Sequence, residues 1–335
     1  MTHNKKWIYK EHDDSAVARL QETYLIPRLT AAVLQNRMDA IAPDLEDSGE
    51  DFSRRLYDTG LLKNVTAAVE RISHAIENRE HITIYGDYDA DGVTSTAVLY
   101  LYLKERGAVV DYYIPDRVGE GYGVNTAALD KIKGNGAGLI ITVDTGVTAV
   151  AEVEYAKQLG MDVIVTDHHE CKSNVPVCHA VIDPKQEDCA YPFSELAGVG
   201  VVFKLITALD GGANTEALIE KYMALVCLGT IADVAPLIDE NRTIVTLGLR
   251  RFAQSGNAGV DALLDAANLR GKPVTAGSIG FIIAPRINAA GRLGRAHKSV
   301  ELFICGDRAR AREIALELSG ENQSRQNMER EIFEE

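Results

Sequence analysis

The sequence predicts an α/β fold built on a doubly wound parallel sheet, with an N-terminal helical segment before it and a mainly helical C-terminal part after it. Two observations carry this expectation. From His81 onward, short β-branched runs alternate with helical stretches, the pattern of repeated βαβ units. Each run is apolar enough to be buried on both faces, as strands of a helix-covered parallel sheet are. A third feature, an aspartate closing several runs, puts polar chemistry where such sheets bind ligands, beyond the strands' carboxyl ends where the winding reverses.

Residues 1–80 read as helical and polar, with Leu61, Leu62, Val65, Ala68, Val69, Ile72 and Ile76 on a 3.6-residue period within Leu56–Ile76. No chemistry is visible there, and a helical cap on the next domain is the expectation. The predicted strands are His81–Tyr85, Val109–Ile114, Leu139–Val143, Asp162–Thr166 and Ala180–Ile182. Ser95–Glu105, Asn125–Lys133 and Ala149–Leu159 are the expected crossover helices. After Asp183-Pro184 come helices at Glu195–Leu209, Thr215–Cys227 and Ala258–Ala267, with a short run at Thr243–Leu247 before the last of them and glycine turns at Gly211-Gly212 and Gly271. Ala309–Glu335 is continuously helix-favouring and lacks a terminating Gly or Pro, as a connecting helix would.

The 335 residues suggest about two domains at roughly 100–200 residues each. With 46% hydrophobic and 25% charged residues, the chain is globular rather than disordered. No leader-like or membrane-spanning apolar run is present, so a cytoplasmic, membrane-free protein is expected. Five cysteines without a CxxC form neither a disulfide framework nor a zinc pattern. The formal net charge of −14 argues, taken alone, against a nucleic-acid partner.

Carboxylates gather at the ends of the predicted strands. Gly86-Asp87-Tyr88-Asp89-Ala90-Asp91-Gly92 follows the first, Asp144-Thr145-Gly146 the third, and Asp167-His168-His169-Glu170 the fourth. One aspartate could cap the following helix, but only one. A divalent cation is the usual resolution of such mutual repulsion, and imidazole beside carboxylate suits Mn²⁺, Fe²⁺ or Zn²⁺ better than Ca²⁺. Convergence of four or more carboxylates makes two adjacent ions plausible. Asp233, alone in the apolar stretch Gly229–Leu237, needs a partner if buried; a metal ion or a structural arginine would serve. Val93 stands where a phosphate loop requires Lys, and no GxGxxG opens a helix, so nucleotide and dinucleotide folds are disfavoured.

In this order, GDYDADG, VDTG, TDHHE and GTIADVAPL resemble the motifs of the DHH phosphoesterase superfamily. PRINAAGRLGRA at Pro285–Ala296 narrows the likeness to the RecJ-type single-stranded-DNA exonucleases. The resemblance runs from about Trp7 to the end of the chain. It implies a two-ion site filled by Mn²⁺ or Mg²⁺, with Asp89 on one ion, Asp91 on the other and Asp144 bridging. His168 and Asp233 would complete the ligands of the second ion, Asp87 would bind metal or orient a metal-bound water, and Asp167 would support the loop from behind. His169 and Arg292 would face the scissile phosphate, and Arg117, Tyr122, Arg286 and Asn288 are further substrate-binding candidates. The implied reaction is in-line attack by a metal-activated hydroxide, without a covalent enzyme intermediate, in 5′→3′ digestion of single strands to 5′-mononucleotides during DNA recombination and repair. Single-strand-binding protein and a helicase are the partners the family implies, and a monomer is expected.

The resemblance divides the chain into a cap (1–80), a catalytic α/β domain (81–235), a helical extension (236–308) and the start of an interdomain helix (309–335). Family members continue into a DHHA1-type domain and usually an OB-fold, so a catalytic core is the expectation for this chain. Independently, Arg286–Arg312 carries seven basic side chains (Arg286, Arg292, Arg295, Lys298, Arg308, Arg310 and Arg312) against Glu301 and Asp307, and the Gly291-Arg292-Leu293-Gly294 turn would admit a phosphate. Two other readings stay open. One is a DHH phosphoesterase of short oligonucleotides or cyclic dinucleotides; its pyrophosphatase branch is disfavoured because a His expected ahead of the paired Asp is absent. The other is a non-catalytic replication scaffold, which would have lost ligands that are all present here.

Overall fold

A computed structural model describes residues 10–37 and 55–334, apart from 118, 173 and 293, so Val118 and Leu293 of the motifs above lie outside the described residues. The chain forms two compact units, 1–51 and 52–335. In the first, α1 (Asp14–Tyr24) and α2 (Arg28–Gln35) close on a small cluster of Val17, Leu20 and Ala31. Asp13 caps α1 by accepting the Ser15 and Ala16 N–H groups.

In the second unit a 3₁₀ turn at Thr59–Leu61 precedes α3 (Val65–Glu77). Only this part of the periodic stretch from Leu56 is α-helical. Its Val65, Ala68, Ile72 and Ala75 enter the main core.

A parallel sheet follows, made of β1 (His81–Gly86), β2 (Val109–Tyr113), β3 (Leu139–Val143), β4 (Asp162–Thr166) and β5 (Ala180–Ile182) in the order β2-β1-β3-β4-β5. The doubly wound sheet expected from the sequence is therefore present. Two helices, α5 (Thr126–Gly134) and α6 (Val150–Gln158), cover one face, over a core that includes Tyr85, Ile140, Val163 and Val165. The other face lies under α3, α4 (Ala90–Glu105), α7 (Gly198–Leu209) and α8 (Thr215–Ala232), where Ile82, Ile84, Ile141 and Ile164 join the larger core. The winding reverses between β1 and β3, which fixes the switch point of the sheet.

Several boundaries differ from expectation for identifiable reasons. Helix α4 starts at Ala90 rather than Ser95 because Asp89 caps it, and its first turn approaches the preceding backbone so closely that a Cβ on Gly92 would lie 2.5 Å from the Asp87 carbonyl oxygen. Helix α8 continues five residues beyond Cys227, with Gly229 facing Asp91 and Thr94 rather than breaking it, and so delivers Asp233 as its C-cap. Thr243–Leu247 does not interrupt the helices. It lies inside α9 (Asp239–Arg251), whose acidic first turn and basic last turn suit the helix dipole while Ile244, Val245 and Leu247 are buried.

The remaining helices are α10 (Ala258–Ala266), α11 (Ala284–Arg292), α12 (Ala296–Ile304) and α13 (Arg308–Glu334). Gly211, Gly212 and Gly271 all have φ near +70°, as turn glycines do. Gly291 and Arg292 do not form a turn: they are the last residues of α11, and only Gly294 is left-handed. No described helix is long and apolar enough to cross a membrane.

Candidate metal centre

Strand register brings the carboxylates to one level. Gly86 is opposite Val143, Val143 opposite Thr166, and Thr166 opposite Ile182, so the next residues, Asp87, Asp144, Asp167 and Asp183, form a row along the carboxyl edge of the sheet. Sequence reasoning used Asp183 only as a boundary; the signal for it was its place at the end of the last strand.

Asp87, at the β1 tip, is buried with Oδ1 unpartnered, and burial together with neighbouring Asp89 pushes its carboxyl up to about 7. Asp89 caps α4, its Oδ1 accepting the Asp91 and Gly92 N–H groups at 2.9 and 3.0 Å, and its carboxylate also lies within the cluster of candidate ligands. One turn in, Asp91 is buried at the foot of α7, accepting the Gly198 N–H at 2.7 Å and the Val199 N–H at 2.9 Å. Burial, then Asp233 and Asp89, raise it well above the ordinary carboxylate range.

Asp144 is held in the left-handed region at φ 58°, a conformation costing roughly 1–2 kcal/mol for residues with a Cβ. Its Oδ1 is 3.0 Å from His168 Nε2, yet neither atom has a hydrogen-bond partner. Two buried acceptors this close without a shared proton are placed as ligands of a common cation are, and burial keeps His168 neutral by lowering it to about 4. Asp233 Oδ2 stands 3.8 Å from His168 Nδ1. Burial and Asp89 raise Asp233 to about 6.

These groups fall into overlapping sets whose ligand atoms lie within 4.8 Å of one another: Asp87, Asp89 and Asp144; Asp91, His168 and Asp233; Asp144, His168 and His169. Among the described residues, no lysine or arginine forms an ion pair with Asp87, Asp89, Asp91, Asp144 or Asp233. The structural arginine that would have explained Asp233 is thus absent there. A buried cluster of this charge needs cationic compensation, and carboxylate oxygens with one imidazole nitrogen suit Mn²⁺ or Mg²⁺. Two glycines that motif reading passed over shape the chamber: a Cβ on Gly198 would lie 2.8 Å from Asp144 Oδ1, and one on Gly229 2.8 Å from Asp91 Oδ1.

Asp167 accepts four hydrogen bonds, from the backbone N–H groups of Val147, His168 and His169 and from His169 Nδ1 at 2.7 Å. Although burial opposes it, the bond to His169 is the largest cause holding Asp167 below its ordinary value. The same bond raises His169 to about 9, so its imidazolium faces outward at neutral pH. From His169 an aromatic and cationic strip extends over the surface. Tyr122 Oη is 3.4 Å from His169 Nε2, the Tyr122 and Tyr88 rings meet edge to face, and the Arg117 guanidinium lies 5.2 Å from the Tyr88 ring centre. Exposed Arg292 also acts electrostatically on Tyr88. A cavity of about 330 Å³, bordered by Tyr122, Gly146, Val147, Asp167 and His169, opens beside this strip.

The other basic residues behave differently. Arg286 is turned toward Ser319 Oγ and the Ile282 carbonyl, and Asn288 Oδ1 accepts the Ala90 N–H at 2.8 Å, pinning α11 to the first turn of α4. Arg295 pairs with Glu321, Lys298 with Glu317, and Arg310 with Glu301 and Glu313. Three of the seven basic side chains in Arg286–Arg312 are therefore paired with acidic residues of α12 and α13, so the local excess is reduced rather than wholly open to a polyanion.

The chain is similar to known proteins along most of its length. The DHH family, N-terminal domain, matches residues 81–230. The single-stranded-DNA-specific exonuclease RecJ of Bacillus subtilis is 43% identical over 334 residues, 98% of this chain and 41% of that protein. Its Escherichia coli counterpart is 40% identical over 280 residues, 80% of this chain and 48% of that one. Among solved structures, exonuclease RecJ bound to manganese superposes with a TM-score of 0.74 at 38% identity, covering 81% of this chain and 68% of that chain. RecJ of Thermus thermophilus in complex with Mn²⁺ gives 0.78 at 31%, covering 95% and 45%. The chain spans about half the length of the curated relatives it matches, or somewhat less.

Proposed function

Because the chain belongs to the DHH family, in its RecJ-type branch, we propose that it hydrolyses single-stranded DNA as a 5′→3′ exonuclease, using two Mn²⁺ or Mg²⁺ ions held by the carboxylates at the sheet's switch point. The observation that carries this reading is the trio of buried, unpartnered atoms, Asp87 Oδ1, Asp144 Oδ1 and His168 Nε2, in two ligand sets that a third, Asp144 with His168 and His169, links. Asp87, Asp89 and Asp144 would hold one ion, and Asp91, His168 and Asp233 the other, with Asp144 between them. When bound, such ions activate water and neutralise charge on the entering and leaving oxygens.

The chain's own groups supply the rest. The His169 imidazolium, kept charged and oriented by Asp167, would donate to a non-bridging oxygen of the scissile phosphate. Arg292 would offset charge beside it, and Arg117 with Tyr122 would orient the strand through phosphate contact and stacking. A role in DNA recombination and repair, in company with single-strand-binding protein and a helicase, belongs to the same proposal.

Incubation with Mn²⁺ and 5′-labelled single strands of graded length tests it. Release of labelled mononucleotides from long strands, abolished in Asp144→Ala, is the expected result. Cleavage confined to dinucleotides or cyclic dinucleotides would move the protein to another branch of the family.

A further inference from the structure

We infer that the buried carboxamide of Asn241 is a positioning residue for one candidate ion sub-site, that of Asp91, His168 and Asp233, and not for the other. The inference rests on the two-ion reading above. Asn241 lies fully buried in the first turn of α9. Its Nδ2 donates to two backbone carbonyls, Glu195 at 2.5 Å and Pro236 at 3.1 Å, while its Oδ1 has no partner. The side chain therefore acts only as a two-pronged donor joining two loops far apart in sequence.

Each loop leads directly to the sub-site. Glu195 opens the segment that enters α7, whose Gly198 and Val199 N–H groups hold both oxygens of Asp91. Val199 lies one residue past Gly198, whose Cβ position faces Asp144, and the unpartnered His168 Nε2 stands 3.0 Å from Asp144 Oδ1 in the same chamber. Pro236 is three residues beyond Asp233, across Val234, a β-branched residue held at φ 62° and 85% exposed. A connection strained in this way keeps its course only if its far end is tied down, and Asn241 ties it. The neighbouring Glu240 locks the same turn in place by pairing with buried Lys204 of α7 and accepting from Tyr57 N and Tyr191 Oη. Asp87 and Asp89 depend instead on the β1 tip and the α4 cap, and Asp144, although Gly198 of α7 packs against it, is carried by the β3 tip; Asn241 bonds to none of these.

Groups that orient ligands from behind typically change metal affinity 10–100-fold when removed. Mn²⁺ titration of the intact protein, followed by the electron paramagnetic resonance signal of free Mn²⁺, separates the two sub-sites. We expect Asn241→Ala to leave one equivalent at wild-type affinity and weaken the other about 10–100-fold. Asn241→Ser, whose hydroxyl can still donate to one carbonyl, should recover part of the loss. Two equivalents at wild-type affinity in both variants would overturn the inference. So would equal weakening of both equivalents, the signature of general loosening, or failure of both variants to fold, which would make Asn241 a residue of the fold alone. Wild-type protein binding fewer than two Mn²⁺ would instead refute the two-ion reading, and the titration shows this before any variant is made.

Discussion

Asp183 closes β5 at the level of Asp87, Asp144 and Asp167, but it belongs to none of the ligand sets. Its Oδ1 accepts the Lys185 N–H at 2.8 Å, its Oδ2 is buried without a partner, and burial pushes its carboxyl up to about 7. A carboxyl whose folded value exceeds its unfolded value of about 3.9 binds more protons when folded, so its contribution to stability is present below pH 4 and lost as the pH rises through 7. Asp183→Asn removes that ionisation. The variant should exceed wild type by roughly 1–3 kcal/mol at pH 8 and by little at pH 4, measured by urea denaturation at both. A difference independent of pH would show that Asp183 is not held protonated by the fold. At this scale the sequence is most legible for charged groups, because an Asp or His pair at a strand end has few roles. The small residues around them, Gly198 and Gly229, are silent in sequence, since what they avoid is a Cβ beside Asp144 or Asp91 that only the packed chamber reveals.

At the scale of elements, α11 carries the clearest lesson. Its Gly291 and Gly294 look like a phosphate-binding turn, yet the helix runs through Gly291 because that glycine presses on the β1–α4 connection: a Cβ there would lie 2.3 Å from the Tyr88 carbonyl oxygen. Ahead of it, Pro285 lacks the N–H that the Phe281 carbonyl would need, and the chain accommodates this with a π turn at Ile279–Ile283 closed by the Ala284 N–H on Ile279. Helix periodicity made the crossover helices visible, but caps such as Asp89 and close approaches such as Gly92 and Gly291 set where they begin and end. Ordinarily Gly→Ala within a helix stabilises by about 1 kcal/mol. Gly291→Ala should instead destabilise by about 1–3 kcal/mol, because the clash is with backbone and not with a movable side chain. It should also shift Tyr88 and Arg292, lowering kcat/KM on single strands at least tenfold, at roughly 1.4 kcal/mol or more, with Mn²⁺ stoichiometry unchanged. A stabilised variant with wild-type kinetics would show that α11 does not seat on Tyr88.

For the molecule as a whole, net charge proved a poor guide in both directions. The −14 that argues against a polyanion includes the buried carboxylates of the candidate centre, and the basic excess of Arg286–Arg312 is partly offset by Glu317 and Glu321, which α13 brings back from later in the chain. Linear windows cannot register pairs made by folding. The α/β architecture was legible because buried parallel strands leave an apolar signature. The coupling of α7, α8 and α9 around the carboxylates was not, since it runs through backbone carbonyls and N–H groups that every residue possesses.

This arrangement makes stability and metal binding opposed in the metal-free protein. Asp144 is buried among like charges, which raises its carboxyl well above the ordinary range, and its left-handed backbone is one that asparagine adopts readily. In EDTA at pH 8, Asp144→Asn should therefore unfold at a higher temperature than wild type. With Mn²⁺ at about 100 times its Kd, mass action should stabilise wild type by about 2.7 kcal/mol, several degrees in Tm at roughly 2–4 °C per kcal/mol. The variant, lacking the shared ligand, should gain little. Its Tm should thus lie above wild type without metal and below it with metal, and calorimetry in the two buffers reads this crossing directly. If wild type is the more stable protein in EDTA as well, the carboxylates are compensated within the chain, and the cluster is not the cation-binding centre that its unpartnered oxygens imply.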